Sequence, residues 1–434
     1  MRLKLVTVAV AIGALFSASG LARTADANPA SRSAPATKPA PVGAHPSTPP
    51  PANNRNCQNT GDFDAWFAAF KREAIAEGIK PATIQTALGG MTMDPSIIAR
   101  DRKQSFFNQT FLEFYGKLAT KNRYENGRKR VAQHQDVFAR AEKEYGVPAP
   151  VITGFWALES DFGVGMGKLS VLRSLVTLAY DCRRGEMFRA ELKAALRIIE
   201  RGDLGPEEMI GSWAGELGQT QFLPAHYLNH AVDYDGDGKR DLIRSIPDII
   251  GSTAAFIKSL DWARGEPWLE EVKVPASLPW DQADLSIRHP RSKWISWGVT
   301  GVAGRPLPGD QLPASLLLPM GRNGPAFLAY RNFDVYTRWN QSLTYAITAA
   351  HLASRLAGAP PVSSGNGQPI PALTADEVKE MQVLLKRRGY DVGEPDGKIG
   401  AGTRAAVKAM QLKFGQIADS YPTPELLAAL RGGR

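Results

Sequence analysis

The sequence predicts a mainly α, α+β protein. An α-rich domain carries a small β-containing insertion, and a small helical module follows it. Three observations predict this. Apolar residues recur at helical spacing through most of 57–357. Residues 270–330 are instead rich in Pro, Gly and Trp, with short strand-like runs. After residue 372, two further helical patterns flank a loop dense in Gly and Asp.

The chain has 434 residues, enough for more than one domain. Its first stretch, MRLKLVTVAVAIGALF, is two basic residues and then an apolar run too short to span a bilayer. Small residues and an Ala25-Asp26-Ala27 cleavage pattern follow, so residues 1–27 read as a secretory signal peptide. No cysteine lies near that point, and no later segment is apolar enough to span a membrane. A soluble, exported, periplasmic protein with no membrane anchor is expected. Residues 28–56 hold eight prolines among Ala, Ser, Thr and Asn. Such a stretch cannot bury a core and reads as a disordered tether.

The domain at 57–357 opens with Phe63, Trp66, Phe67 and Phe70 at helical spacing. Leu192, Ala195, Leu196 and Ile199 repeat the pattern. Within 270–330 the runs EVKVP, ASLLLP and AFLAY read as strands, and helical pattern resumes near Ser342. Residues 358–371, GAPPVSSGNGQPIP, have linker composition. Residues 372–434 then read as a three-helix module at most, a size that suits binding better than catalysis.

Two cysteines occur, Cys57 and Cys182. An oxidising compartment would permit a disulfide between them, but sequence does not show that they meet in space. The net charge is +9 and the pI about 9.4, which draws a protein to polyanions such as a carboxylate-rich cell wall. No aromatic-interleaved basic motif or helix-turn-helix pattern is present, and export argues against nucleic acid as a partner.

The stretch GFWALESDFGVG (154–165) carries the first sign of chemistry. Pro148 and Pro150 can open a helix, Val151 to Leu158 fill it, and Gly163 can end it. Phe155 and Trp156 fall on the face of Glu159. A carboxyl packed on one side and open on the other suits a general acid, because burial disfavours its charged form. An ordinary capping or salt-bridged glutamate would show the same pattern.

ITGFWALESDFG resembles the catalytic motif of the lytic murein transglycosylases. SWAGELGQTQFLPAHYL (212–228) with DYDGDGKRDL after it, TLAYDCRRGEMF (177–188) and RNFDVYTRWNQSLTYA (331–346) are similar to the B-type family in order and spacing. GYDVGEPDGKIGAGTRAAVKAMQ (389–411) resembles a peptidoglycan-binding domain. The resemblance implies a lysozyme-like, α-rich catalytic domain acting on peptidoglycan glycan strands and their stem peptides. It implies cleavage of the MurNAc-β-1,4-GlcNAc bond with no water added, leaving a 1,6-anhydro-MurNAc end. One carboxyl, here Glu159, serves as acid and then base, with no cofactor for the chemistry. Ordinary glycosidases use two carboxyls; an intramolecular nucleophile removes the need for the second.

Carried across residue by residue, Ser212 and Gln221 would line the cleft near the acid. Arg183 and Arg184 match an arginine pair that faces the stem peptide, as forked guanidiniums suit carboxylates. Trp339, Asn340 and Tyr345 match a polar-aromatic wall. The family usually has Tyr where Trp339 stands and often Tyr where Phe256 stands, so each change keeps a ring and loses a hydroxyl. Asp161 and Glu216 are rival acids. Asp161 would point away if the helix continued, and the family requires no acid at Glu216, which is expected to be structural or to support the residues that line the site from behind. A muramidase that adds water, and a catalytically silent wall-binding protein, remain the alternatives.

The loop DYDGDGKRD places Asp233, Asp235 and Asp237 at calcium-loop positions one, three and five. Gly238 supplies the sharp turn, the Lys239 carbonyl follows, and Asp241 stands at position nine. Position twelve is Arg244 rather than Glu, and Asp248 could complete the shell, as a displaced acid does in the family. The expectation is a structural Ca²⁺; a metal-free Asx-rich turn is the alternative.

Overall fold

The fold was analysed in a computed structural model that describes residues 61–102, 109–302 and 305–433. The expected signal peptide and proline-rich tether, and Cys57, lie outside the described residues. Cys182 is held in a disulfide.

Seventeen α-helices and two small sheets make up the described chain. The first helix, Phe63–Ala76, starts where the Asp62 carboxylate accepts the Asp64 N–H at 3.1 Å. Phe67 and Phe70 of its predicted stripe are buried, and Leu192, Ala195 and Leu196 are buried on the helix Gly185–Arg201. No helix among the described residues is long and apolar enough to cross a membrane.

The centre of the domain is the helix Ala149–Ser160, opened by Pro148 and Pro150 as expected. Val151 to Leu158 are all buried, because other helices pack around it on every side. Small residues permit the close approach. A Cβ on Gly154 would lie 3.3 Å from the Ala353 Cβ, on the helix Leu343–Leu356. One on Gly127, in the helix Lys121–Gln133, would lie 3.1 Å from the Thr153 Cγ2.

This helix stops earlier than its glycine predicts. It ends at Ser160, and Asp161 and Phe162 take left-handed φ values of 52° and 59°. Tertiary contacts hold this uncommon backbone. Arg123 Nε lies 3.6 Å from the Asp161 carboxylate, and the Phe162 ring meets Trp156 edge-on at 5.2 Å. Ser160 Oγ donates to the Gln219 carbonyl at 2.5 Å.

The three predicted strand runs, joined by two short strands not predicted, form an antiparallel sheet of five strands. In spatial order these are His289–Pro290, Pro313–Leu317, Ala326–Ala329, Leu269–Lys273 and Thr300–Gly301. One face closes over its own core of Trp294, Leu316, Leu328 and Tyr330.

The terminal module has three helices, Ala375–Arg387, Ala401–Lys413 and Pro424–Arg431. It is docked on the sheet rather than tethered. Arg404 Nη2 donates to the Leu318 carbonyl at 2.7 Å, the Arg322 N–H to Asp419 at 3.1 Å, and Lys408 Nζ to Asp284 at 3.1 Å. Residues 358–371 hold no helix or strand, as their composition implies, yet they are pinned. Ser363 N–H donates to Glu271 at 3.0 Å, and Asn323 Nδ2 to the Pro369 carbonyl at 2.7 Å.

Candidate active site

Glu159 emerges from the last turn of the central helix with partial exposure, while its neighbours on either side are buried. Its carboxyl sits in an aromatic socket. Trp339 Nε1 donates to Oε1 at 2.8 Å, and the Tyr345 hydroxyl donates to the same oxygen. Burial pushes the carboxyl up to about 7, against the pull of these two donors. The Tyr345 hydroxyl is itself held well above its usual range by burial and by the charge of Glu159, so it stays a donor.

The socket comes from elements distant in sequence. Phe155, one helical turn before Glu159, stacks on Trp339 at 4.2 Å and on Tyr336 at 4.8 Å. Trp339 also meets Phe256 at 5.1 Å and Phe222 at 5.8 Å. Trp156, expected to wall the carboxyl, turns elsewhere: its Nε1 donates to Gln219 Oε1 at 2.8 Å. The loss of a hydroxyl expected from Trp in place of Tyr at 339 is offset, since the indole N–H supplies a donor to the acid.

The hairpin around 211–222 closes another side. Ser212, 3 % exposed, donates its hydroxyl to Glu216 Oε2 at 2.9 Å rather than to Glu159. Glu216, like Glu159, is partly exposed as a residue, and its carboxyl is pushed up to about 8, by desolvation first and then by the charge of Glu159. Gln221 adopts a left-handed φ of 51° and donates Nε2 to the Gly218 carbonyl at 2.9 Å and the Met166 carbonyl at 3.3 Å. It thereby ties the hairpin to the loop after Glu159.

Other expected contacts are placed differently. Arg183 donates to the Asp101 carboxylate and carbonyl, each at 2.6 Å, and Arg184 pairs with the other carboxylate oxygen. Asp101 is 1 % exposed, so the pair is drawn inward to neutralise a buried acid rather than projecting for a stem peptide. Asn340 is buried, and its Oδ1 accepts the Ser342 N–H at 2.9 Å at the entry to the helix of Tyr345. Asp161 faces Arg123, away from the acid's role. Phe256 stacks against His226 at 4.5 Å and His230 at 4.9 Å, and burial pushes His226 down to about 4.

Four positions carry more than sequence reasoning assigned them. Gln219 accepts from Trp156 and donates Nε2 to the Ile243 carbonyl at 2.8 Å, joining the central helix to the hairpin. Its place two residues before Gln221 in GQTQF was the available signal. His226 and His230, four apart in PAHYLNH, were legible as a same-face pair. Asp101 had no local signal.

In the aspartate loop, one carboxylate oxygen each from Asp233, Asp235 and Asp248 lie within 4.8 Å of one another. Asp248 is buried and accepts the Tyr234 N–H at 2.6 Å and the Asp241 N–H at 2.7 Å. Asp237 and Asp241 stand outside this group. Asp241 accepts from Arg244 Nε at 2.5 Å, and Asp237 caps the Lys239 N–H at 2.8 Å. The cation at position twelve therefore points outward, to Asp241 and to Glu208 at 2.7 Å. The remaining all-oxygen, carboxylate donor set fits a hard cation.

Residues 62–354 match the transglycosylase SLT domain, and residues 374–430 a putative peptidoglycan binding domain. The chain is 29 % identical over 309 residues to the membrane-bound lytic murein transglycosylase B of Escherichia coli (strain K12), covering 70 % of this chain and 84 % of that one. Among solved structures, SltB3 from Pseudomonas aeruginosa in complex with NAG-NAM-pentapeptide superposes with a TM-score of 0.79. It shares 41 % identity, over 85 % of this chain and 100 % of its own. The Escherichia coli lytic transglycosylase Slt35 in complex with calcium gives 0.58, with 29 % identity over 67 % and 92 % of the two chains. With that domain spanning most of its length around an acid in an aromatic socket, the chain belongs to the transglycosylase SLT family, as an enzyme of the lytic murein transglycosylase class.

Proposed function

We propose that the protein cleaves the MurNAc-β-1,4-GlcNAc bond of peptidoglycan without water and leaves a 1,6-anhydro-MurNAc end. The observation that carries this reading is the state of Glu159: a carboxyl at a partly exposed helix end, pushed up to about 7 by burial, with both donors on Oε1. The proton therefore belongs on Oε2, the oxygen left free of these donors to meet the substrate. Oε2–H protonates the glycosidic oxygen as the bond from that oxygen to C1 breaks. The carboxylate left behind is held by the Trp339 N–H and the Tyr345 O–H, neither of which gives up its proton. It then takes the proton of the muramyl 6-hydroxyl as that oxygen attacks C1, which returns Glu159 to its acid form.

Glycan strands would pass along Gln221, Phe256, Trp339 and Tyr345. Ser212 and Asn340 order the cleft wall, and Arg183 and Arg184 balance Asp101 beneath it. Stem peptides would lie against the outer rim, and residues 372–434 would grip the wall beside the cleft. A Ca²⁺ held by Asp233, Asp235 and Asp248 would stiffen the segment between the hairpin and the helix Ile246–Ser259 and take no part in the chemistry. The leader sequence supports action in the periplasm.

Glu159→Gln tests the reading. It keeps shape and removes the proton donor, so turnover should fall by about 10²–10⁴-fold or more. Wild-type products should be lighter by one water than those of a muramidase on the same sacculi. Solvent oxygen at the new muramyl C1 would establish the hydrolytic alternative instead.

A further inference from the structure

The series of rings that holds the acid does not end at Phe256. His226 and His230 stand one helical turn apart on the helix Pro224–His230, so both rings project from one side of it. Each lies against the Phe256 ring, His226 at 4.5 Å and 34°, His230 at 4.9 Å and 32°, with 6.4 Å between the two imidazoles. Phe256 in turn meets Trp339 at 5.1 Å, and Trp339 donates to Glu159 at 2.8 Å. A single ring, Phe256, therefore separates the histidines from the indole that touches the acid.

Packing alone does not account for the pair. Phe256 is 6 % exposed, covered by these rings, Trp339 and Phe222, whereas both histidines keep part of their surface in solvent. Neither imidazole makes a hydrogen bond with any described residue. A side chain needed only to cover a phenyl ring would be apolar; two imidazoles leave two N–H donors and two acceptor nitrogens unused. Burial holds both rings below their ordinary range, His226 down to about 4 with a smaller push from His230, so both are neutral at neutral pH. Neutral rings give nothing to attract a stem-peptide carboxylate. They offer a flat apolar face with one donor and one acceptor each, which matches the apolar ring face, hydroxyls and N-acetyl group of an amino sugar.

We propose that His226 and His230 form a further saccharide subsite, holding an uncharged amino-sugar ring of the glycan strand at the end of the aromatic wall away from Glu159. The sugar held there lies beyond the bond being broken, so the pair selects for longer strands and takes no part in the proton transfers. This rests on the reading of the cleft as a glycan-cleaving site.

The test is kcat/KM, read as loss of substrate, on peptidoglycan glycan oligomers of graded length, for full-length wild type, His226→Phe and His230→Phe. Phenylalanine keeps a ring against Phe256 and removes the imidazole nitrogens. The variants should match the wild type on the shortest cleaved oligomers. Beyond one length, kcat/KM should fall about three- to tenfold for each lost hydrogen bond, with the change in KM and kcat kept. An equal loss at every length would mark a packing role, and no loss at any length would mean that the nitrogens touch nothing; either overturns the proposal. A second measurement reads the contact directly. In Glu159→Gln carrying isotope-labelled histidine, the ring signals of His226 and His230, assigned with the two phenylalanine variants, should shift when a long oligomer is added and stay in place with the shortest. Unmoved signals with the long oligomer overturn the proposal. Loss of substrate counts cleavage with or without water, so hydrolytic products would overturn the anhydro reading and leave the length comparison intact.

Discussion

Trp339→Phe separates the donor role of the indole from its packing role. The ring position is kept, with Phe155 at 4.2 Å and Phe256 at 5.1 Å still available for contact, while the 2.8 Å N–H bond to Glu159 Oε1 is lost. That bond favours the charged carboxylate. A hydrogen bond to a charged group contributes about 1.5–3 kcal/mol, and one pH unit corresponds to about 1.4 kcal/mol. Its loss should raise Glu159 from about 7 by roughly 1–2 units, since Tyr345 alone then stabilises the anion. The alkaline limb of kcat/KM should therefore move upward. The anion formed after proton transfer is also less stabilised, so kcat on the acidic plateau should drop roughly tenfold. The smaller ring should cost about 1–2 kcal/mol of stability, which a denaturant midpoint reads separately. An alkaline limb that stays in place or moves downward would refute the account of Trp339 as a donor to the acid.

Two further outcomes concern stability. Glu191 is buried and pushed from 4.5 up to about 7, although it accepts the Ala225 N–H at 2.8 Å. Between those values the folded protein holds a proton that the unfolded chain has released. This contribution is full below pH 4.5 and is lost as pH rises through 7, at most roughly 3 kcal/mol. Glu191→Gln should thus flatten the decline in melting temperature between pH 5 and 8; identical slopes would contradict the assignment. Calcium should raise the melting temperature of the wild type, by about 2.7 kcal/mol of stability at a hundredfold excess over Kd. Asp248→Asn should remove most of that response, and Asp241→Asn should leave it, since Asp241 is engaged by Arg244.

Helix and strand placement was legible wherever one periodicity ran long enough. The stripe at Phe67 and Phe70 and the strands at 269–273, 313–317 and 326–329 stand where the pattern puts them. The end of the Glu159 helix was not legible. Gly163 is the local stop signal, but Arg123 and Gln219, far away in sequence, impose left-handed backbone on Asp161 and Phe162 first. The docking of residues 372–434 was hidden for the same reason. Linker composition reports the lack of an apolar face, whereas Ser363 and Pro369 are held by polar bonds to Glu271 and Asn323.

The sequence by itself determined the fold class and singled out Glu159 and the aspartate loop as candidates, because periodicity, a carboxyl at the end of an apolar helix and Asp spacing are local properties. Only the tertiary structure decided what surrounds that carboxyl. Trp339 and Tyr345 meet Glu159 across 180 and 186 residues, and Asp101 draws the arginine pair inward. A carboxyl's proton affinity depends on burial and on the charges and donors within a few ångströms, and those neighbours are chosen by packing rather than by order along the chain.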